Sequence, residues 1–332
     1  MKIQIGPITL ASPVILAPMS GISDLPYRRL AKRFGAGLVI SEMIASRAMV
    51  FANKRTLKMA SNCTEEFPMA VQLAGCDPYL MAEAARLNEG RGAAIIDINM
   101  GCPAKKVTNG QAGSALMRDI AHAGKIIDAV VKAVDLPVTL KMRTGWNDDN
   151  RNAPELARIA QAAGVKMITV HGRTRCQFYK GYADWPFIAK VKAVVTIPVI
   201  GNGDVTRVED ARELLEQSGA DGVMIGRGTY GRPWFLGQVL HFLKTGQKLE
   251  PPNLETRLEI LLGHYEDMLS HYGCHRGIRI ARKHLAWYSK GMPRSAEFRA
   301  RIMGMEDAGQ VVDTIRRFYA PHIDEAQEKV AA

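Results

Sequence analysis

The feature that most constrains the fold of this chain is a regular alternation of short apolar runs with amphipathic stretches. Eight such runs follow one another: VILAPM, LVISEM, MAVQLAG, AIIDINMGC, PVTLKMR, MITVHGR, PVIGNGD and GVMIGRG. They are rich in Val, Ile and Leu without clean alternation, which is typical of strands buried on both faces. Candidate helices such as PYLMAEAARLNEG and APELARIAQAAG separate them. Eight strand–helix units in series predict an α/β fold, a closed parallel (β/α)8 TIM barrel.

The C-terminal part of the chain has a different pattern. After the helical stretch PWFLGQVLHFLKTG, the segment KLEPPN predicts a linker, because Gly246, Pro251 and Pro252 stop a helix. From about residue 254 the periodicity is helical, with no strand-like run. We therefore expect a barrel domain over residues 1–243, a linker over 244–253 and a small all-α helical bundle over 254–332.

Composition places the chain among globular proteins. Its 332 residues can bury a large core, and the 47% hydrophobic and 23% charged fractions exclude a disordered chain. No apolar run approaches the roughly 18 residues of a membrane helix, and Gly6, Pro7 and Pro13 interrupt any N-terminal secretion signal. We expect a cytoplasmic protein. The five cysteines are scattered without metal-ligand spacing, so we expect neither a metal site nor a disulfide framework.

Each predicted strand ends in a residue that does not belong in an apolar core. In a barrel of this kind the carboxyl ends of the strands converge on one mouth, where the active site is built. The residues concerned are Ser20, Glu42, Gln72, Asn99, Cys102, Lys141, His171, Asn202, Asp204 and Arg227. Any one of them could simply cap a strand, but the whole set predicts a functional site at the mouth.

Two glycine-rich strand endings indicate a phosphate site. GNGD at 201–204 and GRG at 226–228 follow the seventh and eighth strands, where barrel enzymes commonly bind phosphate through backbone N–H groups. Gln72, Lys141 and His171 come from three other strands and can line one flat ligand. No Gly-x-Gly-x-x-G follows the first strand, which favours a flavin mononucleotide over a dinucleotide. Lys141 would then stabilise negative charge on a reduced flavin ring.

The segment RGIRIARKHLAWYSKG combines an apolar helix face with a basic one. At the helical period, one face holds Ile278, Ala281, Leu285 and Tyr288, and another holds Arg276, Arg279, Lys283, Trp287 and Lys290. Residues 276–301 contain eight Lys or Arg and the single acid Glu297, in a chain of net charge +11. A basic helix face is often only solvated, but an aromatic ring among aligned cations suits a polyanion with stackable bases.

Taken together, these motifs resemble a known family. APMSGISDLPYR, SEMI, VQLAG, DINMGCP, LKMRTGW, HGRTR, NGD and IGRG, followed by RKHLAWY, are similar to those of the tRNA-dihydrouridine synthases, specifically the bacterial DusB subgroup. The similarity covers nearly the whole chain. It implies an oxidoreductase acting on a CH–CH group, with FMN as cofactor, NADPH as electron donor and tRNA as substrate. We expect a monomer, and the sequence leaves the oligomeric state open.

The resemblance also implies roles for individual residues. Cys102 matches the catalytic acid, Asn99 positions the uracil, and Arg173 contacts the substrate. The residues that match the flavin site are Ala17, Pro18, Met19, Gln72, Lys141, His171, Asn202, Gly203, Asp204, Gly226 and Arg227. The expected tRNA contacts are Lys105, Lys106, Arg175, Arg276, Arg279, Lys283 and Trp287, together with Arg55 and Lys58 of RTLK.

The implied reaction explains a lone cysteine that would otherwise be interpreted as packing. The C5=C6 bond of uracil is conjugated with the C4 carbonyl, so hydride from flavin N5 adds to C6 and leaves carbanion character at C5. Free cysteine has an ordinary pKa of about 8.5, and a protonated thiol at Cys102 can donate the proton that C5 needs. The target uridine lies in the folded elbow of tRNA and must turn out into the mouth, at a cost that phosphate contacts offset.

Two other functions remain open from the sequence. A dihydroorotate-dehydrogenase-like FMN enzyme acting on a free pyrimidine shares the barrel and a cysteine, but it gives the basic helical domain no role. A non-catalytic RNA-binding module predicts a colourless protein, and the complete flavin-facing set argues against it. The DusB resemblance favours nucleotide 17 in the D-loop as the target, and the choice between NADPH and NADH stays open.

Overall fold

Eight parallel strands close into a barrel, as the alternation of the sequence predicts. The computed structural model describes residues 2–61 and 64–331. The strands are β1 (Ile3–Ile5), β2 (Ile8–Leu10), β3 (Val14–Leu16), β4 (Leu38–Ile40), β5 (Ile44–Ala45), β6 (Met69–Ala74), β7 (Ile95–Met100), β8 (Val138–Arg143), β9 (Met167–His171), β10 (Val199–Asn202) and β11 (Gly222–Ile225). The barrel order is β4, β3, β11, β10, β9, β8, β7, β6, and β6 pairs with β4 to close it. The prediction of a TIM barrel is confirmed.

Helices surround the barrel and form the whole C-terminal region. Those of the barrel are α1 (Leu25–Arg33), α2 (Ser46–Val50), α3 (Lys54–Met59), α4 (Pro78–Glu89), α5 (Lys105–Thr108), α6 (Ile120–Val131), α7 (Ala153–Ala163), α8 (Trp185–Lys192), α9 (Val208–Ser218) and α10 (Phe235–Thr245). The C-terminal helices are α11 (Leu254–Tyr272), α12 (Cys274–Tyr288), α13 (Ser295–Met303) and α14 (Ala308–Ala331). Among the described residues, no helix has the length and apolar character that a membrane span requires. The domain boundaries proposed from the sequence stay a prediction.

Aspartates placed directly before several barrel helices explain where those helices begin. The carboxylates of Asp77, Asp119 and Asp184 each accept a hydrogen bond from the backbone N–H three residues later, over 2.9–3.0 Å. This N-cap satisfies an N–H group that the first helical turn leaves without an intrahelical partner. Asp24 caps α1 in the same way, through the N–H of Tyr27. The caps set the start of each helix and therefore the length of the loop that precedes it at the mouth.

The β1–β2 hairpin closes the amino end of the barrel, and the sequence pattern did not predict it. Ile3, Ile5 and Leu10 are buried in one apolar cluster with strand residues such as Ile15 and Ile200. Gly6, at φ +56°, forms the turn between the two strands, a conformation that glycine adopts at no steric cost. In the described ranges the hairpin covers this end of the barrel, and a large cavity lies at the opposite end.

The C-terminal helices dock beside the mouth through buried aromatic rings. As predicted, the apolar face of α12 is buried, with Ile278, Ala281, Leu285 and Tyr288 each at most 7% exposed. Trp287 differs from the expectation that it stands among the cations, free to stack on bases. Its indole is stacked on the ring of Tyr230, in the loop after β11, with centroids 4.2 Å apart. One face of the indole is therefore covered, and Trp287 joins the helical region to the barrel.

A buried pair of histidines lies in this same interface. The ring centroids of His264 on α11 and His284 on α12 are 4.8 Å apart, and each ring also lies beside Tyr27 of α1. Among the described residues, neither Nε2 atom has a hydrogen-bond partner. Burial lowers the pKa of His264 to about 3 and holds the pKa of His284 well below its ordinary value. Both rings are therefore neutral in the folded protein.

We expect these histidines to destabilise the protein as pH falls below about 6.5. The unfolded chain takes up protons there while the folded chain does not, so stability is lost from pH 6.5 downwards toward pH 3. At pH 5.5 the loss from His264 is about 1.4 kcal/mol, and His284 adds a loss of the same sign. Burial raises the pKa of Asp24 and of Asp97 to about 6, which acts in the opposite direction between pH 4 and 6.

Comparing variants separates the contribution of the buried histidines from that of Asp24 and Asp97. His264→Leu should flatten the dependence of the melting temperature on pH between 7.5 and 5.5, relative to the wild type. His275→Leu, at an exposed position on α12, is the matched control. Equal pH slopes for the wild type and His264→Leu would contradict the prediction, whatever the absolute stability of the variant.

Candidate active site

A cavity of about 1870 Å³ opens at the carboxyl ends of the barrel strands. Its walls come from the ends of β3, β6, β7, β8, β9, β10 and β11. The residues of the predicted site that line it are Ala17, Pro18, Met19, Gln72, Asn99, Cys102, Lys141, His171, Arg173, Asn202, Gly203, Asp204, Gly226 and Arg227. The structure thus places the expected catalytic acid and the whole expected flavin set in one cavity.

Buried side chains on adjacent strands form a hydrogen-bonded chain at the base of this cavity. The Asp97 carboxylate accepts from Thr139 Oγ1 over 2.7 Å and from Gln72 Nε2 over 2.6 Å. Gln72 Oε1 accepts from Asn99 Nδ2 over 2.7 Å. Asn99 Oδ1 in turn accepts from the backbone N–H of Cys102 over 2.9 Å. We call Asp97, Gln72 and Asn99, with these bonds, the amide chain.

Both ends of the amide chain dictate the orientation of its two amides. An ionised carboxylate only accepts and a backbone N–H only donates. Gln72 must therefore turn its NH₂ group toward Asp97, and Asn99 must turn its NH₂ group toward Gln72. Each amide nitrogen carries two N–H groups, so Gln72 and Asn99 each keep one N–H donor for a ligand. The cavity side of the chain is suited to carbonyl oxygens.

The backbone of Cys102 is held at both its N–H and its carbonyl group. Asn99 accepts from the N–H, while Ser114 Oγ donates to the carbonyl oxygen over 2.8 Å. The neighbouring Gly113 has φ +61°, and a Cβ atom on it would lie 2.9 Å from Cys102 O and 3.3 Å from Cys102 Cβ. The half-buried thiol of Cys102 therefore occupies a defined place in the cavity wall.

Gly113→Ala should displace this cysteine without removing it. Alanine at positive φ is strained, and its methyl group would contact Cys102 O more closely than Cβ atoms normally allow. We expect the turnover number for the reaction proposed below to fall about tenfold or more, with a much smaller change in flavin affinity. Gly219→Ala, also at positive φ (+62°) but with open space around the added atom and outside the cavity, is the matched control. Equal turnover in the two variants would show that the position of Cys102 does not depend on Gly113.

Lys141 and His171 lie in the same wall of the cavity but differ in charge at neutral pH. Lys141 Nζ donates to Asn202 Oδ1 over 3.0 Å, and burial lowers its pKa to about 8, so it is mostly a cation at neutral pH. Burial and the surrounding cations Arg143, Lys141 and Arg173 hold the pKa of His171 well below its ordinary value. The site therefore combines a buried positive charge with a neutral imidazole.

The loops after β10 and β11 present backbone donors rather than side-chain acids. The N–H groups of Gly203, Asp204, Gly226 and Arg227 donate no hydrogen bond to any residue in the described ranges. Gly203, at φ +126°, has no room for a side chain, because a Cβ atom would lie 2.9 Å from the His171 ring. Free N–H groups at glycine-rich strand ends are donors that a phosphate can use.

Asp204 and Arg173 have their side chains committed to each other. Arg173 Nη1 and Nη2 donate to the two Asp204 carboxylate oxygens over 2.8 and 2.6 Å. The remaining N–H groups of this guanidinium, which is 2% exposed, donate to Lys180 O, Gly181 O and, over 3.5 Å, His171 Nε2. The structure favours a positioning role for Arg173, holding the loop after β9, over the direct substrate contact implied by the resemblance. The Asp204 carboxylate likewise organises Arg173, so its expected part at the phosphate falls to its backbone N–H.

The expected tRNA contacts on α5, in RTLK and on the basic face of α12 lie in two places. Lys105 and Lys106 are exposed on α5, just after Cys102. Arg276 and Lys283 line a second cavity of about 320 Å³ between the barrel and the C-terminal helices, with Lys58, while Arg279 is exposed beside it. Lys283 donates to Gly21 O and Lys58 to His271 O, so these two amines join the barrel to the helices. The side chain of Arg55 lies outside the described residues.

Two buried residues of the site were not predicted from the sequence. Arg143, 1% exposed, donates to Gly101 O over 2.8 Å and to Thr174 O over 2.8 Å, which joins the loops after β7 and β9. Its position two residues after Lys141 on β8, on the same face of the strand, was the available signal. Asp97 anchors the amide chain, and a charged residue inside an apolar run was its signal.

Comparison with known proteins agrees with the geometry. The family model described as dihydrouridine synthase matches residues 15–323. A probable tRNA-dihydrouridine synthase of Rickettsia bellii is 57% identical over 323 residues, covering 97% of this chain and 99% of the relative. The tRNA-dihydrouridine synthase B of Xanthomonas axonopodis pv. citri is 53% identical over 299 residues, covering 90% of each chain, and that of Pseudomonas aeruginosa is 47% identical over 318 residues, covering 96% of each. A solved 2-naphthoyl-CoA reductase complex shares the fold, with a TM-score of 0.57 and 13% identity over 72% of this chain and 51% of that one.

Proposed function

This chain belongs to the dihydrouridine synthase family, which reduces uridine in tRNA to dihydrouridine, and we propose that it does so with FMN and NADPH, using Cys102 as the acid. The observation that carries the proposal is the convergence of Cys102, Asn99, Gln72 and Lys141 on one cavity of the barrel mouth. The proposed target is a D-loop uridine, at nucleotide 17, as the resemblance to the DusB subgroup suggests.

The residues of the mouth suit FMN. The free N–H groups after β10 and β11 supply donors for its phosphate, and the buried cation of Lys141 suits the negative charge of a reduced ring. Gln72 keeps one N–H group for a ring carbonyl, because its other N–H is bound by Asp97. No described carboxylate is free at the phosphate loops, since Arg173 and Arg227 both bind Asp204. When bound, FMN supplies the hydride that C6 of uracil accepts.

The chain's own residues hold the uracil and supply its proton. Asn99 offers its remaining N–H group to a uracil carbonyl oxygen, while its Oδ1 atom holds the loop of Cys102. Hydride addition at C6 places negative charge on C5 and the C4 oxygen. The Cys102 S–H bond breaks, its proton forms the new C5–H bond, and the thiolate is reprotonated from solvent. Because hydrogen bonds fix the backbone of this loop, the proton donor is oriented before the substrate arrives.

The surroundings of the mouth suit a large polyanionic substrate. The helical region docks beside the cavity and carries the exposed Arg279, while Lys105 and Lys106 are exposed just after the catalytic loop. Flipping the uridine out of the folded tRNA costs a few kcal/mol, which phosphate contacts offset. We propose that the protein acts as a monomer. With tRNA as substrate, the expected site of action is the cytoplasm.

The cofactor and the electron donor are tested on the purified protein. We expect a yellow protein that releases FMN on heating, and faster reduction of the bound flavin by NADPH than by NADH. A variant with Lys141→Met should bind FMN more weakly, because the buried cation is lost, whereas Lys132→Met, in an exposed ion pair with Asp128 on the barrel exterior, should not. A colourless protein that binds no FMN would contradict the proposed cofactor.

A further inference from the structure

A stack of two guanidinium groups on one indole lies at the rim of the mouth and includes Arg175, one of the expected tRNA contacts. The guanidinium carbons of Arg118 and Arg175 are 4.3 and 4.6 Å from the centroid of the Trp146 ring. Arg175 also lies 4.8 Å from the ring centroid of Phe178. We call Arg118, Trp146, Arg175 and Phe178 the arginine–tryptophan stack.

The stack extends from the active-site cavity to the surface. Phe178 lines the cavity, Trp146 and Arg175 are partly buried, and Arg118 is exposed. Arg118 ends the 3-10 helix Gly113–Arg118, whose first residue packs against Cys102. The outer end of the stack is therefore joined through one short helix to the catalytic loop.

The topology places the stack across the mouth from the C-terminal helices. Its residues follow β7, β8 and β9, whereas the helical region docks on α1 and on the loop after β11. In the closed strand order, β8 stands four positions from β3. In an eight-stranded barrel this is the opposite side. A substrate bound only by the helical region would have contacts on one side of the mouth and none on the opposite side.

The charge of the stack is not neutralised within the protein. In the described ranges, neither Arg118 nor Arg175 has a carboxylate oxygen within ion-pair distance, and Arg175 Nε is buried without a hydrogen-bond partner. The nearby acids Asp148 and Asp149 are exposed in the loop after Trp146. Two cations held on one ring repel each other, so an anion that contacts both is favoured.

The chemistry of the stack specifies a phosphate within RNA. Guanidinium groups bind phosphate oxygens through paired N–H donors, and stacking on an indole fixes their planes in advance. Lys105 and Lys106 on α5 extend the positive surface, since Arg175 Nη2 lies 3.5 Å from Thr108 Oγ1 at the end of that helix. We propose that the arginine–tryptophan stack binds the tRNA backbone next to the target uridine, on the side of the mouth opposite the helical region. This inference rests on the proposed function and names a second anchoring surface for its substrate.

The salt dependence of tRNA binding tests the proposal. Arg118→Ala should weaken binding of unmodified tRNA about five- to tenfold at low salt. It should also reduce by about 1 the magnitude of the slope of log K for tRNA binding against log salt concentration. The reason is that binding releases fewer counterions when one phosphate contact is missing. Arg118→Lys should keep most of the slope. Arg212→Ala is the matched control, because Arg212 also lies on an aromatic ring, 4.2 Å from the centroid of Phe242, and does not line the cavity.

Each outcome of this experiment decides the proposal. An unchanged slope in Arg118→Ala, with the melting temperature of the wild type, would overturn it. A raised KM for NADPH with unchanged tRNA binding would assign the stack to the phosphates of the electron donor and would also overturn it. Failure of the proposed function is distinguishable, because the wild-type protein would then form no dihydrouridine at any tRNA concentration.

Discussion

Replacing Cys102 by alanine is expected to lower the rate of dihydrouridine formation by about 10²–10⁴-fold, the usual contribution of a positioned general acid. Flavin binding should be retained. None of the hydrogen bonds made by Gln72, Lys141 or Asn202 uses the thiol, and the Cys102 backbone keeps its bonds to Asn99 and Ser114 when the side chain is shortened. The variant should be yellow, should still be reduced by NADPH, and should bind tRNA with wild-type affinity.

A cysteine elsewhere in the barrel provides the control for this variant. Cys76 is free and half-buried like Cys102 but does not line the cavity, so Cys76→Ala should keep full activity. Single-turnover measurements with the flavin already reduced isolate the step that needs the proton. Two results would contradict the assigned role: activity within a fewfold of the wild type, or loss of the flavin together with the activity.

Asn99→Asp is expected to abolish most activity and also to destabilise the protein. The substitution keeps the shape of the side chain but replaces an N–H donor by a second carboxylate. Gln72 would then lie between the Asp97 carboxylate and the new one, and either orientation of its amide leaves Oε1 facing carboxylate oxygen. A buried acceptor without a donor costs about 1–3 kcal/mol, and more when it is charged. Loss of one preorganised donor lowers rates by about 10²–10³-fold in enzymes.

Exchanging the two end residues separates the structural part of the amide chain from its functional part. In the double variant Asp97→Asn with Asn99→Asp, the Gln72 amide can rotate by half a turn. Every hydrogen bond of the chain can then form with donor and acceptor exchanged. Gln72 Nε2 then donates to the new carboxylate on the Cys102 side. The new amide on the Thr139 side donates to Gln72 Oε1, and its carbonyl oxygen accepts from the Thr139 hydroxyl. The melting temperature should therefore recover toward that of the wild type. Activity and FMN affinity should stay low, because the amides now present the wrong atoms to the ligands.

This experiment has a clear opposite outcome. If activity recovers together with stability, the direction of the hydrogen bonds in the amide chain has no functional role. It would then matter only that every buried donor and acceptor in the chain has a partner. Asp97→Asn alone is the internal control. The amide that this substitution introduces can accept from Gln72 and donate to Thr139, so the native polarity survives and the effect on activity should be small.

The barrel, and the gathering of polar strand ends at one mouth, were predictable because both depend on local pattern. Strands buried on both faces need continuous apolar runs, and such runs are visible in the sequence one by one. Once eight parallel strands are assigned, closure brings their carboxyl ends together. Polar residues such as Gln72, Lys141 and His171 then meet without any knowledge of their side-chain contacts. The prediction needed only the order of the residues and the direction of the strands.

The partners of individual side chains were not predictable, because they depend on contacts between residues distant in the sequence. Arg173 follows strand β9, as other residues of the mouth follow their strands. Its guanidinium group nevertheless binds the carboxylate of Asp204, 31 residues away in the sequence. Trp287 shares a helix face with cations, but the loop after β11 covers its ring. The amide chain joins three strands, and no single run of sequence indicates which atoms its amides present. The β1–β2 hairpin was missed because three-residue strands are too short to show a period.

The proposed reaction is tested most directly by mapping the product on tRNA. The purified, flavin-containing protein is incubated with an unmodified tRNA transcript and NADPH in deuterated water, and the nucleotides are analysed by mass spectrometry. We predict reduction of one D-loop uridine, at nucleotide 17, with solvent deuterium at C5. Reduction of a free pyrimidine with no change in the tRNA would contradict this prediction and would support a small-molecule flavoenzyme instead.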